Sequence, residues 1–170
     1  MNTKSIIIDD DFLLPEQKKL IEDLFDNESI PFYLANQSTH IDDKNYHFIH
    51  RLLNNTNNNK SYLFDPLINI LEIFLKKNNI KINKVIRAAI NVTFNNGNDN
   101  CGEHIDHEFY HKQLLVYLND SEGDTVILNN NGCKEIIKPK KYRGICFENN
   151  QHYHYYPKTG VRKVMVFTFC

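Results

Sequence analysis

The sequence predicts an α+β protein, mainly β, in which helices come first and antiparallel β-structure follows. Apolar residues recur at helical spacing in the first half, and short β runs separated by turn residues begin at Val85. In the last of these runs, Val164 and Val166 alternate with Met165 and Phe167, so apolar side chains cover both faces. This pattern is typical of a sandwich or barrel flanked by helices.

Two helices are predicted in residues 1–84. The first begins at Pro15, a residue suited to the first helical position, and its apolar residues keep helical spacing as far as Phe25. The second begins with Asp65 as the N-cap, followed by a proline, and ends at Lys77. Between the helices, residues 54–61 are rich in asparagine and are predicted to form a polar loop.

Seven strands are predicted in the second half, each bounded by turn residues such as glycine and asparagine. They cover residues 85–94, 113–119, 125–128, 135–138, 144–147, 152–156 and 162–170. The sequence contains no internal repeat and no sign of a second domain. We therefore expect residues 1–170 to form one domain, with residues 1–84 as mostly helical support for a β core at residues 85–170.

The composition argues against several classes of partner and location. The net charge is −1 and the isoelectric point is about 6.7, so the charge does not favour binding to nucleic acid or to a membrane surface. No apolar run approaches the ~20 residues of a membrane span. The four cysteines show no close pairing and no CxxC, which argues against a disulfide framework or a structural zinc site. A reducing, cytoplasmic location is predicted.

The most informative motif is His104-Ile105-Asp106. Side chains two residues apart on an extended strand point the same way, so an imidazole and a carboxylate would enter one pocket. Either His152 or His154, two residues apart in a late cluster, would add a second imidazole. Two nitrogens and one oxygen on one face of a metal leave open positions, which suits non-haem Fe(II) that also binds a co-substrate and O2.

A keto-acid co-substrate would give a role to two further residues. Its C1 carboxylate and keto oxygen can chelate the iron, which leaves its distal carboxylate to be bound by the protein. Arg162, at the start of the last predicted strand, offers the planar bidentate donor that a carboxylate needs. The phenol of Tyr117 is a candidate for an additional hydrogen bond, although a half-buried core position would equally explain this tyrosine.

These motifs, in their order, resemble the Fe(II)/2-oxoglutarate-dependent dioxygenases, and in particular their prolyl 4-hydroxylase-like branch. The resemblance covers most of the chain. The segments that carry it are IIIDDDFL at residues 6–13, HID at 104–106, VYLND at 116–120, GDT at 123–125, the strand from Lys138-Pro139 to Phe147, and the closing hairpin from His152 through Pro157 to Arg162.

The resemblance implies a double-stranded β-helix, a jelly-roll or cupin-like core, with the N-terminal helices packed on one sheet. It implies Fe(II) bound by His104, Asp106 and the late histidine, and 2-oxoglutarate bound by Arg162 and Tyr117. The implied reaction hydroxylates a C–H bond of a peptide, such as a peptidyl proline, or of a small molecule. Decarboxylation of 2-oxoglutarate to succinate and CO2 accompanies it.

Two details of this resemblance concern single positions. The distal histidine of this branch commonly precedes the basic residue by nine or ten positions; this favours His152 over His154, which remains the alternative ligand. Relatives often carry a tyrosine that reaches the co-substrate ten residues before the first ligand. Phe94 stands there in this chain and cannot donate that hydrogen bond.

Two other classes of function remain open. Residues 107–111 (HEFYH) match H-E-x-x-H, which on a helix places two zinc ligands, His107 and His111, and a general base, Glu108, on one face. A zinc-dependent hydrolase is therefore an alternative, although no third-ligand signature follows on a helix. The third class is a non-catalytic jelly-roll that binds a partner.

Overall fold

The computed structural model describes residues 6–26, 30–36, 45–54, 59–129 and 132–170. Within these ranges the chain forms two α-helices, α1 (Pro15–Asp26) and α2 (Phe64–Lys77). The strands, in chain order, are β1 (Ile7–Asp9), β2 (Tyr33–Ala35), β3 (His47–Asn54), β4 (Asn59–Lys60), β5 (Val85–Phe94), β6 (Lys112–Tyr117), β7 (Thr125–Leu128), β8 (Lys134–Ile137), β9 (Gly144–Glu148), β10 (His152–His154) and β11 (Val161–Phe169).

The strands form two antiparallel sheets. The larger sheet has the order β1-β9-β6-β11-β5-β3-β2, with β4 paired to β3 at one side. The smaller sheet has the order β10-β7-β8. Strand β11 lies at the centre of the larger sheet, because it pairs with β5 along one edge and with β6 along the other. This arrangement confirms the predicted jelly-roll class with a mainly β core.

Alternation along β11 separates two apolar cores. Met165, Phe167 and Phe169 face the helices, in the larger core that also contains the buried side of α2. Val164 and Val166 face the other way, into the core between the two sheets. Each side chain of β11 thus lies either on the helix side or between the two sheets. A functional group that β11 contributes to the space between the sheets must therefore belong to the face of Val164 and Val166.

Helix α2 is held by its apolar stripe. Phe74 is fully buried and meets the ring of Phe12 edge to face, with the ring centroids 5.0 Å apart. Gly144 of β9 lies against the same two rings, since a Cβ atom built there would stand 2.8 Å from each. Neither helix of the described chain has the length and apolarity that a crossing of a membrane requires.

The structure agrees with most of the predicted elements and corrects three. Strands β5 and β7 match their predicted bounds, and the other five predicted strands are displaced by one or two residues at their ends. The first half is not only helical, because β2 and β3 extend the larger sheet beyond β5. Asp65 is not the N-cap of α2: Leu63 holds that position without a side-chain hydrogen bond, and Asp65 pairs with Lys60. Of the predicted loop, residues 55–58 lie outside the described residues, and part of the remainder belongs to β4.

The four cysteines are thiols in very different surroundings, which gives a simple test of the packing. Cys146 is 3% exposed, and burial raises the pKa of its thiol to about 12, whereas Cys133 is exposed. Because the thiolate is the reactive form, iodoacetamide at pH 8 should label Cys133 rapidly and Cys146 hardly at all. Peptide mapping by mass spectrometry measures both rates. Comparable labelling of the two before unfolding in urea would contradict this packing.

Candidate metal centre

A cavity between the two sheets contains most of the predicted site residues. Its polar wall is built by inward-facing residues of β5, β6, β7, β10 and β11, together with the segment around His104. The residues that line it are His47, Arg87, Asn91, Thr93, His104, Asp106, Gln113, Leu115, Thr125, His152, Tyr153, His154, Arg162, Val164 and Val166. The structure therefore gathers both predicted ligand segments and Arg162 around one space.

Three potential metal ligands converge in this cavity. His104, Asp106 and His152 offer ligand atoms that all lie within 4.8 Å of one another. The Oδ1 atom of Asp106 is 3.4 Å from Nε2 of His104 and 3.7 Å from Nε2 of His152. An antiparallel β-bridge between His104 and His152 joins their backbones and brings the two segments together. His104 itself is outside the named strands, so this bridge fixes its position.

Backbone carbonyls orient both imidazoles. Nδ1 of His104 is 3.0 Å from the carbonyl oxygen of Gly102, and Nδ1 of His152 is 3.0 Å from that of Asn150. A carbonyl only accepts, so each Nδ1 carries a proton and donates it, and each Nε2 is turned toward Asp106. Metal-binding histidines usually donate a hydrogen bond from the ring nitrogen that does not bind the metal, as these two histidines do.

Charge coupling inside the cavity is strong. Burial alone would raise the pKa of Asp106, but the hydrogen bond with His104 and the charges around it, including that of Arg87, lower it. Burial opposes protonation of His104, yet Asp106 raises its pKa to about 10. Burial lowers the pKa of His152 to about 4. Asp106 is therefore ionised, and the neighbouring His104 and Arg87 compensate its negative charge.

The donor set fits a divalent transition-metal ion. Two imidazole nitrogens and one carboxylate oxygen on one side of a site are the donors typical of non-haem Fe(II) with open positions. The ligand atoms are also close enough to one another to bind a single central cation.

His154 also lines the cavity but has a different partner. Its Nδ1 lies 3.2 Å from Sγ of Cys101, and it is not part of the group of three converging ligands. Its Nε2 is buried and has no hydrogen-bond partner among the described residues. The geometry thus groups His152, rather than His154, with His104 and Asp106.

A buried guanidinium lies at another part of the same cavity. Arg162 is only 3% exposed, and it donates from Nη2 to Oγ1 of Thr125 at 2.9 Å. Tyr117 donates its phenol proton to the same oxygen at 2.7 Å, and the guanidinium lies over the Tyr117 ring. The Nε atom of Arg162 is buried without a hydrogen-bond partner, and no carboxylate of the described chain forms an ion pair with this arginine. Because buried charges in proteins are generally paired, this guanidinium is a candidate binding site for an anion.

Gly123 makes room for Arg162. It is buried and has a φ of 91°, which glycine adopts at little cost. A Cβ atom here would stand 2.6 Å from the carbonyl oxygen of Tyr155 and 3.0 Å from Cδ of Arg162. The glycine of the GDT motif is thus required by the close approach of the arginine side chain.

Phe94 does not enter the cavity. Its ring contacts that of Phe48, with centroids 5.7 Å apart, on the face of the sheet opposite the cavity. The inward-facing neighbour is Thr93, which pairs with Arg162 across the two strands. Strand alternation therefore makes Thr93 the residue of this strand end that faces the cavity.

The HEFYH segment does not form the helix that a zinc hydrolase of this type needs. The whole range of residues 101–111 is described and contains no helical residue. His107 stacks on Phe109, Nδ1 of His111 lies 2.9 Å from the carbonyl oxygen of Phe109, and Glu108 is exposed. The alternative based on this motif is therefore wrong in its structural premise.

Two residues of the site were not recognised in the sequence. Thr125 joins Tyr117 to Arg162, although it is part of the GDT motif. Arg87, on β5, places Nη1 3.6 Å from Oδ2 of Asp106. A charged residue in the apolar run VIRAAINV was the available signal for the latter, because strand interiors rarely place a charge inward without a partner.

Comparison with solved structures finds extensive likeness in fold. The structure is similar to an oxidoreductase of the 2OG-Fe(II) oxygenase family from Burkholderia pseudomallei, with a TM-score of 0.77, 12% identity, and coverage of 96% of this chain and 84% of that one. A prolyl-4-hydroxylase from Pseudomonas putida matches with a TM-score of 0.67 and 12% identity, covering 98% and 93% of the two chains.

A prolyl hydroxylase from Trichoplax adhaerens, solved with a hypoxia-inducible-factor peptide fragment, matches with a TM-score of 0.68 and 15% identity, covering 99% and 84%. No protein-family model matches the sequence, and a search of curated proteins finds no match either. At these identities the likeness establishes the fold alone. The fold is the one seen in these 2OG-Fe(II) oxygenase and prolyl hydroxylase structures, as the motifs predicted.

Proposed function

We propose that this protein is an Fe(II)- and 2-oxoglutarate-dependent oxygenase that hydroxylates a C–H bond of its substrate. The observation that carries the proposal is that one cavity contains both a His–Asp–His donor set and a buried arginine without a carboxylate partner. A donor set of this kind, or a buried arginine, occurs by itself in proteins of many functions. Together they match a metal-chelating dicarboxylate that reaches from one to the other.

In this proposal His104, Asp106 and His152 hold the iron on one face. The carbonyls of Gly102 and Asn150 keep the two imidazoles in the orientation that presents Nε2. Bound there, Fe(II) would supply the activation of O2 that is coupled to oxidation of 2-oxoglutarate to succinate and CO2.

Arg162 binds the distal carboxylate in this proposal. Its orphaned Nε and its remaining Nη donors are available to the two oxygens, while one Nη2 donor is bound to Thr125. Tyr117 acts through Thr125, since its phenol proton is already donated to that hydroxyl. The chain of three side chains keeps the arginine in place before the co-substrate arrives.

The similar structures suggest a broad class of substrate for this protein. A peptide, such as a peptidyl proline, or a small molecule would enter beside His104 and His152, because the oxidised carbon has to approach the metal. Phe109 and Tyr110 follow Asp106 closely in the sequence, and their exposed side chains offer apolar contact area.

Anaerobic reconstitution tests the proposal. Protein purified without chelators should bind Fe(II) and, on addition of 2-oxoglutarate, develop a visible metal-to-ligand absorption, and with O2 it should release succinate. The His107→Ala variant serves as a control outside the proposed ligand set. A protein that holds zinc, gives no absorption with Fe(II) and 2-oxoglutarate, and releases no succinate would rule the proposal out.

Binding of 2-oxoglutarate should depend on Arg162. We expect Arg162→Gln to weaken 2-oxoglutarate binding to the metal-loaded protein by about 10- to 100-fold, because a hydrogen-bonded charge pair contributes about 1.5–3 kcal/mol. Thr125→Val, which removes one orienting hydroxyl, should cost only about 0.5–1.5 kcal/mol. Isothermal titration calorimetry measures both, and unchanged affinity in Arg162→Gln would place the distal carboxylate elsewhere.

A further inference from the structure

We infer that the substrate oxidised by this protein carries a carboxylate, and that Arg87 binds it. The inference rests on the proposed function and adds to it the chemical class of the substrate. It starts from the position of Arg87 on the inner side of β5, at the rim of the cavity.

The two oxygens of Asp106 face different groups. Oδ1 is turned to the two imidazoles, whereas Oδ2 is 3.6 Å from Nη1 of Arg87. This separation is longer than a hydrogen bond, so Arg87 is drawn to the carboxylate by charge while its donors stay available. Its side chain is 38% exposed, compared with 10% for Asp106, so a ligand arriving from solvent can reach Arg87 more readily than it can reach Asp106.

The charges of the cavity do not balance without a further anion. Two arginines and one carboxylate line it, and no other ion pair of Arg87 or Arg162 exists among the described residues. A divalent metal with neutral imidazoles, together with doubly charged 2-oxoglutarate, leaves one positive charge in excess. Arg162 is buried against the co-substrate end, so the excess charge falls to Arg87, beside the metal and open to solvent.

A singly charged carboxylate is the group that fits this excess. The planar fork of a guanidinium binds a carboxylate through two parallel hydrogen bonds, and the low dielectric of a partly enclosed cavity strengthens them. The segment that follows Asp106 also offers a carbon surface, since the ring of Phe109 is 52% exposed and stacks on His107 with centroids 4.8 Å apart. A carboxylate attached to an apolar body would use both.

Benzoate and benzamide test this inference, because they share size and shape and differ in charge. Zinc-loaded protein saturated with 2-oxoglutarate is the form to use, since zinc is redox-inert and the co-substrate blocks anion binding at the metal and at Arg162. NMR titration should show benzoate binding about tenfold more tightly than benzamide. In Arg87→Gln the two should bind equally. Arg87→Lys should keep part of the preference.

The matched control is Lys81→Gln, which removes the same charge from an exposed residue that does not line the cavity. It should leave the preference for benzoate unchanged. If Arg87 only positioned Asp106, Arg87→Gln would lose zinc affinity and keep the benzoate preference, which would overturn the inference.

The comparison of benzoate with benzamide on the wild-type protein needs no variant to fold. If the zinc-loaded protein binds 2-oxoglutarate but binds benzoate and benzamide with equal affinity, this inference alone would be overturned. Failure of the zinc-loaded protein to bind 2-oxoglutarate would overturn the proposed function, and this inference with it.

Discussion

Replacement of Asp106 by alanine should lower succinate formation from 2-oxoglutarate by more than about 100-fold. Groups that merely support a metal ligand cost about 10- to 100-fold in affinity or activity when they are removed, and a direct ligand should cost more. The loss has a second cause, because without this carboxylate nothing would compensate the positive charge of Arg87, which would then repel the metal cation.

Glu108→Ala is the matched control, because it removes an exposed carboxylate two residues away. It should leave both metal content and succinate formation near the wild-type values. Metal analysis of the dialysed proteins, together with succinate detection, separates loss of the ion from loss of activity. Asp106→Ala with wild-type iron content and turnover would show that the metal is held elsewhere.

The two late histidines can be separated in the same way. We expect His152→Ala to lose iron, as His104→Ala does, and His154→Ala to retain it, because His154 is turned to Cys101 and not to Asp106. The visible absorption of the Fe(II)–2-oxoglutarate complex is the measurement. The reverse result, with His154 needed and His152 dispensable, would mean that the ligand set rearranges around the ion.

Replacement of Phe74 by alanine should cost about 3–5 kcal/mol of unfolding free energy. The ring is fully buried between α2 and the larger sheet and meets Phe12 edge to face, so its removal leaves a cavity that a sheet cannot close. Domains of this size have about 5–15 kcal/mol in total, so this variant should be close to the limit of stable folding.

Urea unfolding followed by circular dichroism measures the loss. Tyr62→Ala, which removes a ring that is 67% exposed, should change stability by no more than about 0.5 kcal/mol. Gly144→Ala adds an atom at the same place instead of removing a ring. Its methyl group would press on the rings of Phe12 and Phe74 and should lower the free energy of unfolding by about 1–3 kcal/mol. A Phe74→Ala variant as stable as Tyr62→Ala would contradict this packing.

The sequence predicted the second half of the fold far better than the first. From Val85 onward, period-two alternation and turn residues determine each strand locally. Strand β3 lacks that signal, since its register shifts between Arg51 and Leu53 and a buried His50 interrupts its apolar pattern. His50 is tolerated because the carbonyl of Pro31 and the hydroxyl of Ser61 hydrogen-bond its ring, and both are distant in sequence. Such partners cannot be inferred from a local pattern.

For the candidate site, spacing together with the family resemblance predicted several residues that share one cavity, namely His104, Asp106, His152, His154 and Arg162. Alternation placed His104 and Asp106 together, although a β-bridge rather than a strand holds the first of them. What spacing could not give was the choice of ligand: His152 and His154 share a face, but His152 lies beside Asp106 whereas His154 is turned to Cys101. The role of Arg87 depends likewise on a contact across 19 residues of sequence.

Gly123 has a consequence for the evolution and engineering of this site. If Arg162 holds the distal carboxylate, the stem of that arginine rests against a backbone position that has no side chain at all. A larger residue there would strain the backbone and meet both the carbonyl oxygen of Tyr155 and the arginine stem, so Arg162 could not keep its present position. The absence of a side chain at position 123 would then be a condition for binding the dicarboxylate, although this residue does not touch it.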